Sequence, residues 1–424
     1  MAVDTLREKV SQAVKKREKD ILQFLADIVS AESITGNEAG VQKIIAARLK
    51  KMGIKPDMWD LDAKELATHP AYIASHEPYA GRPNLAARLK GEGGGKSLLF
   101  NGHVDTIPFG LEEAWHTPPG KAVVKDGKMY GRGTSDMKSG AAAMTMAVEI
   151  LRDLGVKLQG DVVLQYVVDE EQTGNGTLAA IMRGYTADAA ICCESSSMHV
   201  QPACIGRVWF TITFRTKEAG IQRRYEGVNA IEKAQRIIQA VADLEAIRIA
   251  SLSHPLYPHL LSSLPCMVTM IEAGSFPSAF PDSCKLQGSF ATLPGEKTDD
   301  VKKDLIRQIH TACATDPWLK DHLPDIVFDG YCGEAAAIPV EDPIVQLVRA
   351  NFVKTVGREP QITGRQGAAD IRYLINDAHI PTLIFGPGLT EQMHATNEYV
   401  NCNDVLAATE IMAMTIIDWC GVAG

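Results

Sequence analysis

The stretch that decides the fold is KSLLFNGHVDTIP, residues 96–108, in which an apolar run leads into His103 and Asp105 and stops at a proline. Three further apolar runs end in the same way, in glycine, proline or acid: VVLQYVVDEE (162–171), AAICCE (189–194) and PTLIFGPG (381–388). Short apolar runs bounded by turn residues are typical of strands buried in a parallel sheet. Because open α/β sheets bind ligands at the carboxyl ends of their strands, we expect the polar groups after these runs to meet at one edge.

Helical patterns separate the apolar runs. Apolar residues recur at helical spacing over residues 4–29 and 40–53, and a helix rich in small residues is expected over SGAAAMTMAVEILRDLG, residues 139–155. Alternation of strands and helices predicts the α/β class, with a mostly parallel mixed sheet sandwiched by helices.

The pattern changes near residue 206. Strand, helix, strand, strand, helix and strand patterns then follow at residues 207–217, 228–247, 265–274, 284–292, 297–313 and 325–331. This order is that of an α+β unit of the ferredoxin-like type. We therefore expect a discontinuous metal-binding catalytic domain, residues 1–205 and 333–424, with a second domain, residues 206–332, inserted into it.

Composition excludes several classes of protein. The chain has 424 residues and a formal net charge of −9, without a long run of Lys or Arg. This argues against a nucleic-acid-binding surface and against a polybasic patch that binds membranes. No apolar stretch reaches the ~18 residues of a membrane span, and the first twenty residues are charged throughout, so we expect a cytoplasmic protein. Nine cysteines without CxxC spacing fit reduced thiols better than a disulfide framework or a thiolate zinc site.

Two histidines and several carboxylates lie where the strand-like runs end. His103 and Asp105 are two residues apart in a strand-like context, so they face the same side, and one can bind a metal while the other orients it. Asp136 lies in the Gly-rich segment YGRGTSDMKSG before a helix, where a helix N-cap and a bridging metal ligand are both open to it.

Adjacent carboxylates at Glu170 and Glu171 are the more specific signal. At the end of an apolar strand they repel one another and resist burial unless a cation is present. Neighbouring strand residues point to opposite sides, which suits one as a ligand and the other as a general base; a solvated acidic turn is the alternative. With Glu194 and His394, each weak by itself, these groups predict a two-metal hydrolase site.

With all five segments in this order, the chain resembles the metallohydrolase family that contains acetylornithine deacetylase, succinyl-diaminopimelate desuccinylase, aminoacylase and carboxypeptidase G. The resemblance covers nearly the whole length. It implies that His103 and Glu194 are terminal ligands of one metal, and that Glu171 and His394 are ligands of one or the other. Asp136 would bridge both metals.

The resemblance also implies the remaining roles at the site. Asp105 would orient His103, Glu170 would be the general base, and Asp136 would be joined to Met137 by a cis peptide. Two imidazoles and three carboxylates form a rather hard ligand set, so two divalent ions of zinc, manganese or cobalt are expected. The inserted domain of this family usually mediates dimerisation, which implies a homodimer or a higher homo-oligomer acting on a small molecule.

Two positions depart from the family pattern. Gly220 stands where the family normally has a histidine, and Ser278 where it often has an asparagine. In relatives these side chains stabilise the oxyanion formed from an amide carbonyl, and losing such a donor costs about 10²-fold or more in rate. Gln222, Arg223 or Arg224 could replace them, or the substrate could have no scissile acyl group.

The second alternative makes hydrolytic deamination of an aminoaromatic acid the leading hypothesis, as in the 5-nitroanthranilate aminohydrolase branch of the family. An N-acyl-amino-acid deacylase or dipeptidase is the alternative, and a non-catalytic family member is a third hypothesis. A substrate carboxylate would be held by one of four arginines, namely Arg223, Arg224, Arg365 and Arg372.

Overall fold

The computed structural model describes residues 3–75 and 77–424 and divides them into two compact units. The larger unit comprises the chain up to Ala203 together with Ala337–Arg365 and Ala369–Gly424. The smaller unit comprises Cys204–Ala336 and residues 366–368. The sequence predicted the boundaries between the two domains at residues 205/206 and 332/333, whereas the units of the structure divide at 203/204 and 336/337, and residues 366–368 also belong to the smaller unit.

Helices occur in both units. In chain order they are α1 (Val3–Lys16), α2 (Glu18–Ser30), α3 (Ala39–Lys51), α4 (Ala63–Leu66), α5 (Ser139–Asp153), α6 (Asn175–Met182), α7 (Ala230–Ser251), α8 (Leu260–Ser263), α9 (Thr298–Ala314), α10 (Pro343–Val356) and α11 (Cys402–Cys420). No helix among the described residues is both long enough and apolar enough to cross a membrane.

The strands are short, and most lie in two sheets. In chain order they are β1 (Pro56–Asp60), β2 (Pro83–Leu89), β3 (Leu98–His103), β4 (Val123–Lys125), β5 (Lys128–Tyr130), β6 (Val162–Val167), β7 (Ala189–Cys192), β8 (Ala203–Cys204), β9 (Gly206–Arg215), β10 (Ala219–Gly220), β11 (Cys266–Glu272), β12 (Ala279–Phe280), β13 (Ser283–Thr292), β14 (Asp325–Val327), β15 (Cys332–Gly333), β16 (Ala336–Ala337), β17 (Thr382–Ile384) and β18 (Tyr399–Asn401).

The sheet of the larger unit has the strand order β1-β2-β6-β3-β7-β17. The contacts β6–β3, β3–β7 and β7–β17 are parallel, whereas β1–β2 and β2–β6 are antiparallel. The expected mostly parallel mixed sheet is therefore confirmed. Its parallel half consists of the four apolar runs that the sequence singled out.

Helices cover both faces of this sheet. Leu98 and Phe100 of β3 belong to the large apolar core that also contains residues of α2, α5 and α11, whereas Leu99 packs with Leu374 and Ile380 on the other face. Successive residues of a strand point to opposite faces, so a central strand between two helical layers must be apolar on both sides. This is why apolar and polar residues do not alternate in the run of residues 98–100.

One predicted helix is interrupted. The pattern over residues 4–29 forms α1 and α2, which are separated at Arg17, where φ is −101° and ψ is 12°. Residues 15–20 are all charged, so this part of the chain has no apolar residue to place in the core. Instead the Arg17 guanidinium pairs with Glu149 at 2.6 Å and Asp153 at 2.7 Å.

The smaller unit has the ferredoxin-like topology that the sequence predicts. Its antiparallel sheet has the order β11-β13-β9-β14, with α7 and α9 in the connections. Alternate residues of β9, including Val208, Phe210 and Ile212, form the core with apolar residues of the two helices. Helix α7 is capped at its N-terminus by Asn229, whose Oδ1 accepts a hydrogen bond from the Ile231 N–H at 3.0 Å.

Candidate metal centre

The carboxyl ends of the parallel strands bring the predicted ligands together. Strand β3 ends at His103, β6 ends three residues before Glu170, and β7 ends two residues before Glu194. These strands are adjacent and parallel, so their carboxyl ends meet at the same edge of the sheet. His394 follows β17, the outermost parallel strand.

One group of ligand atoms surrounds the imidazole of His103. His103 Nε2 lies 3.2 Å from Asp136 Oδ1 and 3.1 Å from Glu194 Oε1. All three side chains are buried. Burial by itself lowers the pKa of His103, but the charge of Glu194 and hydrogen bonds with Asp105, Asp136 and Glu194 raise it well above its usual range.

A second group surrounds the imidazole of His394. His394 Nε2 lies 2.9 Å from Glu171 Oε2 and 3.5 Å from Asp136 Oδ2. Asp136 therefore directs one carboxylate oxygen to each imidazole. This is the arrangement that a carboxylate shared by two ions requires.

The side chains at this edge fit divalent cations. One ligand atom each of His103, Asp136 and Glu171, and likewise of His103, Glu170 and Glu194, lies within 4.8 Å of the others. Glu194 Oε1 is buried and, apart from its contact with His103 Nε2, has no hydrogen-bond partner among the described residues. Burial raises the pKa of Glu171 to about 7, and the charge of Asp136 adds to the rise. Converging buried carboxylates of this kind are stabilised by a bound metal ion.

Asp105 connects His103 to the turn that follows β6. His103 Nδ1 lies 3.0 Å from the Asp105 carbonyl oxygen and 3.5 Å from its carboxylate Oδ1. The Asp105 carboxylate accepts hydrogen bonds from the backbone N–H groups of Glu170 and Glu171, both at 3.2 Å, and from the Thr35 hydroxyl at 3.0 Å. Asp105 thus orients the His103 imidazole and also fixes the backbone of Glu170 and Glu171.

Glu170 lies at the edge of the ligand groups. Its Oε2 is 3.9 Å from His103 Nε2, farther than the oxygens of Asp136 and Glu194. Burial raises the pKa of Glu170 well above its ordinary value, and the charge of Glu194 adds to the rise although that of His103 opposes it. The Glu170 carboxylate is therefore close to the candidate ligands, but it is not shared between the His103 group and the His394 group as Asp136 is.

The segment that contains Asp136 is an irregular turn, Thr134–Lys138, ahead of α5. The Asp136–Met137 peptide is cis, as the family resemblance implied. Asp136 makes no N-cap bond, because α5 begins only at Ser139 and its N-terminal position is Lys138, without a side-chain cap. Asp136 is therefore not the N-cap of α5, and the bridging metal ligand is the role that stays open to it.

Sequence reasoning missed two residues beside this turn. Glu398 is fully buried and accepts hydrogen bonds from the backbone of the turn, and Arg132 pairs with it at 2.8 Å. The sequence signal was an acid placed between His394 and the short apolar strand β18.

The two arginines of this unit that the sequence named as possible substrate contacts are buried. Arg365 donates to the Ser195 carbonyl and to Glu194 Oε2, the latter at 3.2 Å. Arg372 donates to the Thr173 carbonyl at 2.6 Å. Arg365 is thus in contact with a candidate metal ligand, and Arg372 with the turn after Glu171.

The remaining candidates lie in the smaller unit. Gly220 pairs with Ala279 between β10 and β12, and the Ser278 carbonyl accepts a hydrogen bond from the Ile221 N–H at 3.2 Å. A Cβ on Gly220 would lie 3.3 Å from Gln222 Oε1, so the Gln222 amide lies beside the missing side chain.

Both arginines of this segment are exposed and ion-paired. Arg223 pairs with Glu226 at 3.3 Å and Arg224 with Glu232 at 2.6 Å. A substrate-binding role for these residues stays a prediction.

Comparison with protein families gives one match over most of the chain. The model described as peptidase family M20/M25/M40 matches residues 99–418, which include every candidate ligand.

Among curated proteins, the chain is 30% identical to N-formyl-4-amino-5-aminomethyl-2-methylpyrimidine deformylase of Halalkalibacterium halodurans, over 97% of each chain. The deformylase of Bacillus subtilis gives the same identity and coverage. Succinyl-diaminopimelate desuccinylase of Bradyrhizobium sp. is 26% identical, over 92% of this chain and 97% of the relative.

Solved structures share the fold. Aminopeptidase PepT from Bacillus cereus superposes with a TM-score of 0.71 at 19% identity, over 94% of this chain and 98% of that one. Human carnosine dipeptidase 1 gives a TM-score of 0.70 at 16% identity, over 98% of this chain and 99% of that one.

Proposed function

The chain belongs to peptidase family M20/M25/M40, and we propose that it hydrolyses the amide bond of a small N-acylated amine at a pair of divalent metal ions. Its relatives are deformylases and desuccinylases, so the chain is a metal-binding hydrolase that acts on C–N bonds. The acyl group, the amine and the metal are the parts that we propose.

One observation supports the proposal most strongly: two imidazoles and three carboxylates converge, and Asp136 lies between the two groups. His103 and Glu194 would hold one ion, His394 and Glu171 the other, and Asp136 both. The donor set consists of imidazole nitrogen and carboxylate oxygen, which suits zinc, manganese and cobalt.

When bound, the two ions lower the pKa of a water molecule and polarise the amide carbonyl. Glu170 would accept a proton from the attacking water and deliver it to the nitrogen of the leaving amine, because its carboxylate lies 3.9 Å from His103 Nε2, farther than the oxygens of Asp136 and Glu194. Asp105 would keep the Glu170 backbone and the His103 ring in place through its separate hydrogen bonds.

The choice of an amide over an aromatic amine follows from two findings. The two relatives at 30% identity are named as deformylases, and the next is a desuccinylase; all three names describe removal of an acyl group from nitrogen. In addition, the Gln222 amide lies next to Gly220, where a donor for an amide oxyanion was missing from the sequence. Gln222 can donate a hydrogen bond from its NH₂ group.

Hydrolytic deamination of an aminoaromatic acid is the second candidate. The observation in its favour is that neither position provides a fixed donor for an amide oxyanion. Gly220 has no side chain, and the exposed Gln222 side chain makes no hydrogen bond, among those described, that would fix its orientation. The same assay distinguishes the two reactions by their products.

The test is incubation of the metal-loaded protein with three substrates: an N-formyl aminomethylpyrimidine, N-succinyl-diaminopimelate and 5-nitroanthranilate. Amide hydrolysis releases formate or succinate and an amine, whereas ring deamination releases ammonia. Glu170→Gln is the control, since it keeps the shape of the side chain but cannot accept the proton. Ammonia from 5-nitroanthranilate with no acid from either amide would overturn the proposal.

We further propose a homodimer in the cytoplasm. Strand β11 lies at the edge of its sheet, and Met267, Met270 and Ile271 on it are 46%, 62% and 55% exposed. Long exposed apolar edge strands are a template for pairing with another chain, so a second copy of this edge is the partner we expect. Light scattering behind a sizing column measures the mass, and a monomer at micromolar concentration would contradict the dimer.

A further inference from the structure

Glu398 is a fully buried carboxylate whose two oxygens are both used by the Asp136 turn and the residues before it. Oε1 accepts hydrogen bonds from the backbone N–H groups of Ser135 at 2.7 Å and Asp136 at 3.0 Å. Oε2 accepts from the Gly133 N–H at 3.1 Å and from Arg132 Nη1 at 2.8 Å. An acid placed four residues beyond His394 in the sequence thus contacts the backbone of another candidate ligand directly.

The turn needs this carboxylate because its backbone is neither helix nor strand. Asp136 has φ −109° and ψ 99°, so the N–H groups of Ser135 and Asp136 find no carbonyl partner at helical spacing. Buried N–H groups without partners cost free energy, and hydrogen bonds to an ionised acceptor are about twice as strong as neutral ones. Glu398 therefore fixes the direction in which the Asp136 side chain leaves the turn.

The same residue reaches the segment of the second imidazole. Arg132 Nη1, which pairs with Glu398, also donates to the Ala395 carbonyl at 3.1 Å, directly after His394. The Gly131 N–H donates to the Glu398 carbonyl at 3.0 Å. The Asp136 turn and the His394 loop are therefore held together by one buried ion pair.

We propose that Glu398 is a positioning residue for the metal centre, holding Asp136 between the two ligand groups and fixing the His394 loop against it. The inference rests on the metal centre of the proposed function. It adds a residue that is not itself a ligand but that determines whether both groups share Asp136. Partners that orient metal ligands typically alter metal affinity by about 10- to 100-fold when they are replaced.

Glu398→Gln tests the acceptor role with little change of volume. Whichever way its amide is turned, one terminal atom becomes an NH₂ group and faces two N–H donors. We expect metal affinity to fall by about 10- to 100-fold, measured by chelator competition on the metal-free protein, with no substrate present. Glu398→Asp keeps the charge for Arg132 but is too short to reach all four donors, so its loss should be smaller.

Glu149→Gln is the matched control. Glu149 is a carboxylate in the same unit that pairs with Arg17 and Arg48 at 2.6 Å, and it lies ten residues along α5 from Ser139, about 15 Å away at 1.5 Å per residue. This variant should lower the melting temperature equally with and without metal. Glu398→Gln should instead reduce the rise in melting temperature that metal produces.

The outcomes separate the inference from the proposed function. Wild-type metal affinity in both Glu398 variants would overturn the positioning role while leaving the hydrolase proposal in place. Failure of the wild type to bind divalent metal would overturn the metal centre itself. If Glu398→Gln does not fold, Glu398→Asp decides: weaker metal binding with an unchanged melting temperature of the metal-free protein supports the role.

Discussion

Replacement of Gly140 by alanine tests whether the geometry of the metal centre depends on backbone packing behind it. Gly140 lies in the first turn of α5, four residues after Asp136, and packs on Cys193, the residue before Glu194. A Cβ at this position would lie 1.8 Å from the Cys193 carbonyl oxygen and 2.8 Å from its carbonyl carbon. Because both neighbours are backbone atoms, no side chain can rotate away.

The size of the effect follows from these distances. Ordinary contact begins near 3.4 Å, so α5 and the Cys193 backbone must separate by about 1.6 Å along this line. Overpacking of this kind costs about 1–3 kcal/mol, of which alanine's better helix propensity returns about 1 kcal/mol. The separation also moves Glu194 away from Asp136, and a misplacement of ~1 Å at a reacting centre costs about 10²-fold in rate.

The assay compares kcat/KM for the best amide substrate and metal affinity between Gly140→Ala and the wild type. Gly40→Ala is the control, since Gly40 lies at the start of α3 with nothing within 4 Å of its Cβ position. The control should gain up to about 1 kcal/mol in stability and keep its activity. A Gly140→Ala protein with wild-type metal affinity and kcat/KM would refute the reasoning.

Two further substitutions address separate parts of the site. His394→Ala should weaken one of the two bound ions and leave the other at near wild-type affinity, because His394 contacts Glu171 and Asp136 but not Glu194; calorimetric titration with Mn²⁺ that shows both ions weakened equally would contradict this. Gln222→Ala should lower kcat for an amide by about 10²-fold with little change in metal affinity if its amide donates to the oxyanion, and a wild-type kcat would exclude that donor.

The sequence predicted those site residues that lie at the carboxyl ends of the parallel strands. His103 and Glu194 follow apolar runs that form adjacent parallel strands, so their proximity follows from the topology. Glu398 was missed because three of the four donors to its carboxylate are backbone N–H groups, which no sequence pattern marks. Arg365 was named as one of four arginines for a substrate carboxylate, and it contacts Glu194 because its segment is hydrogen-bonded to Val200 and Ala203, a pairing that sequence spacing does not show.

The helix over residues 4–29 illustrates a second limit of sequence patterns. The apolar spacing on either side of Arg17 is helical, but at the break between the two helices Arg17 pairs with Glu149 and Asp153, more than a hundred residues away. Spacing within a segment cannot show such partners. The ferredoxin-like unit was predicted from the succession of its strand and helix patterns along the chain, although its sheet order, β11-β13-β9-β14, is not the chain order.

The central claim is that Asp136 joins two ligand groups, one around His103 and one around His394, into a centre for two ions. The number of divalent ions bound per chain, measured by equilibrium dialysis of the metal-free protein and elemental analysis, tests it most directly. We predict two ions per chain at saturating Zn²⁺ or Mn²⁺. Saturation at one ion per chain, or no binding, would contradict the account.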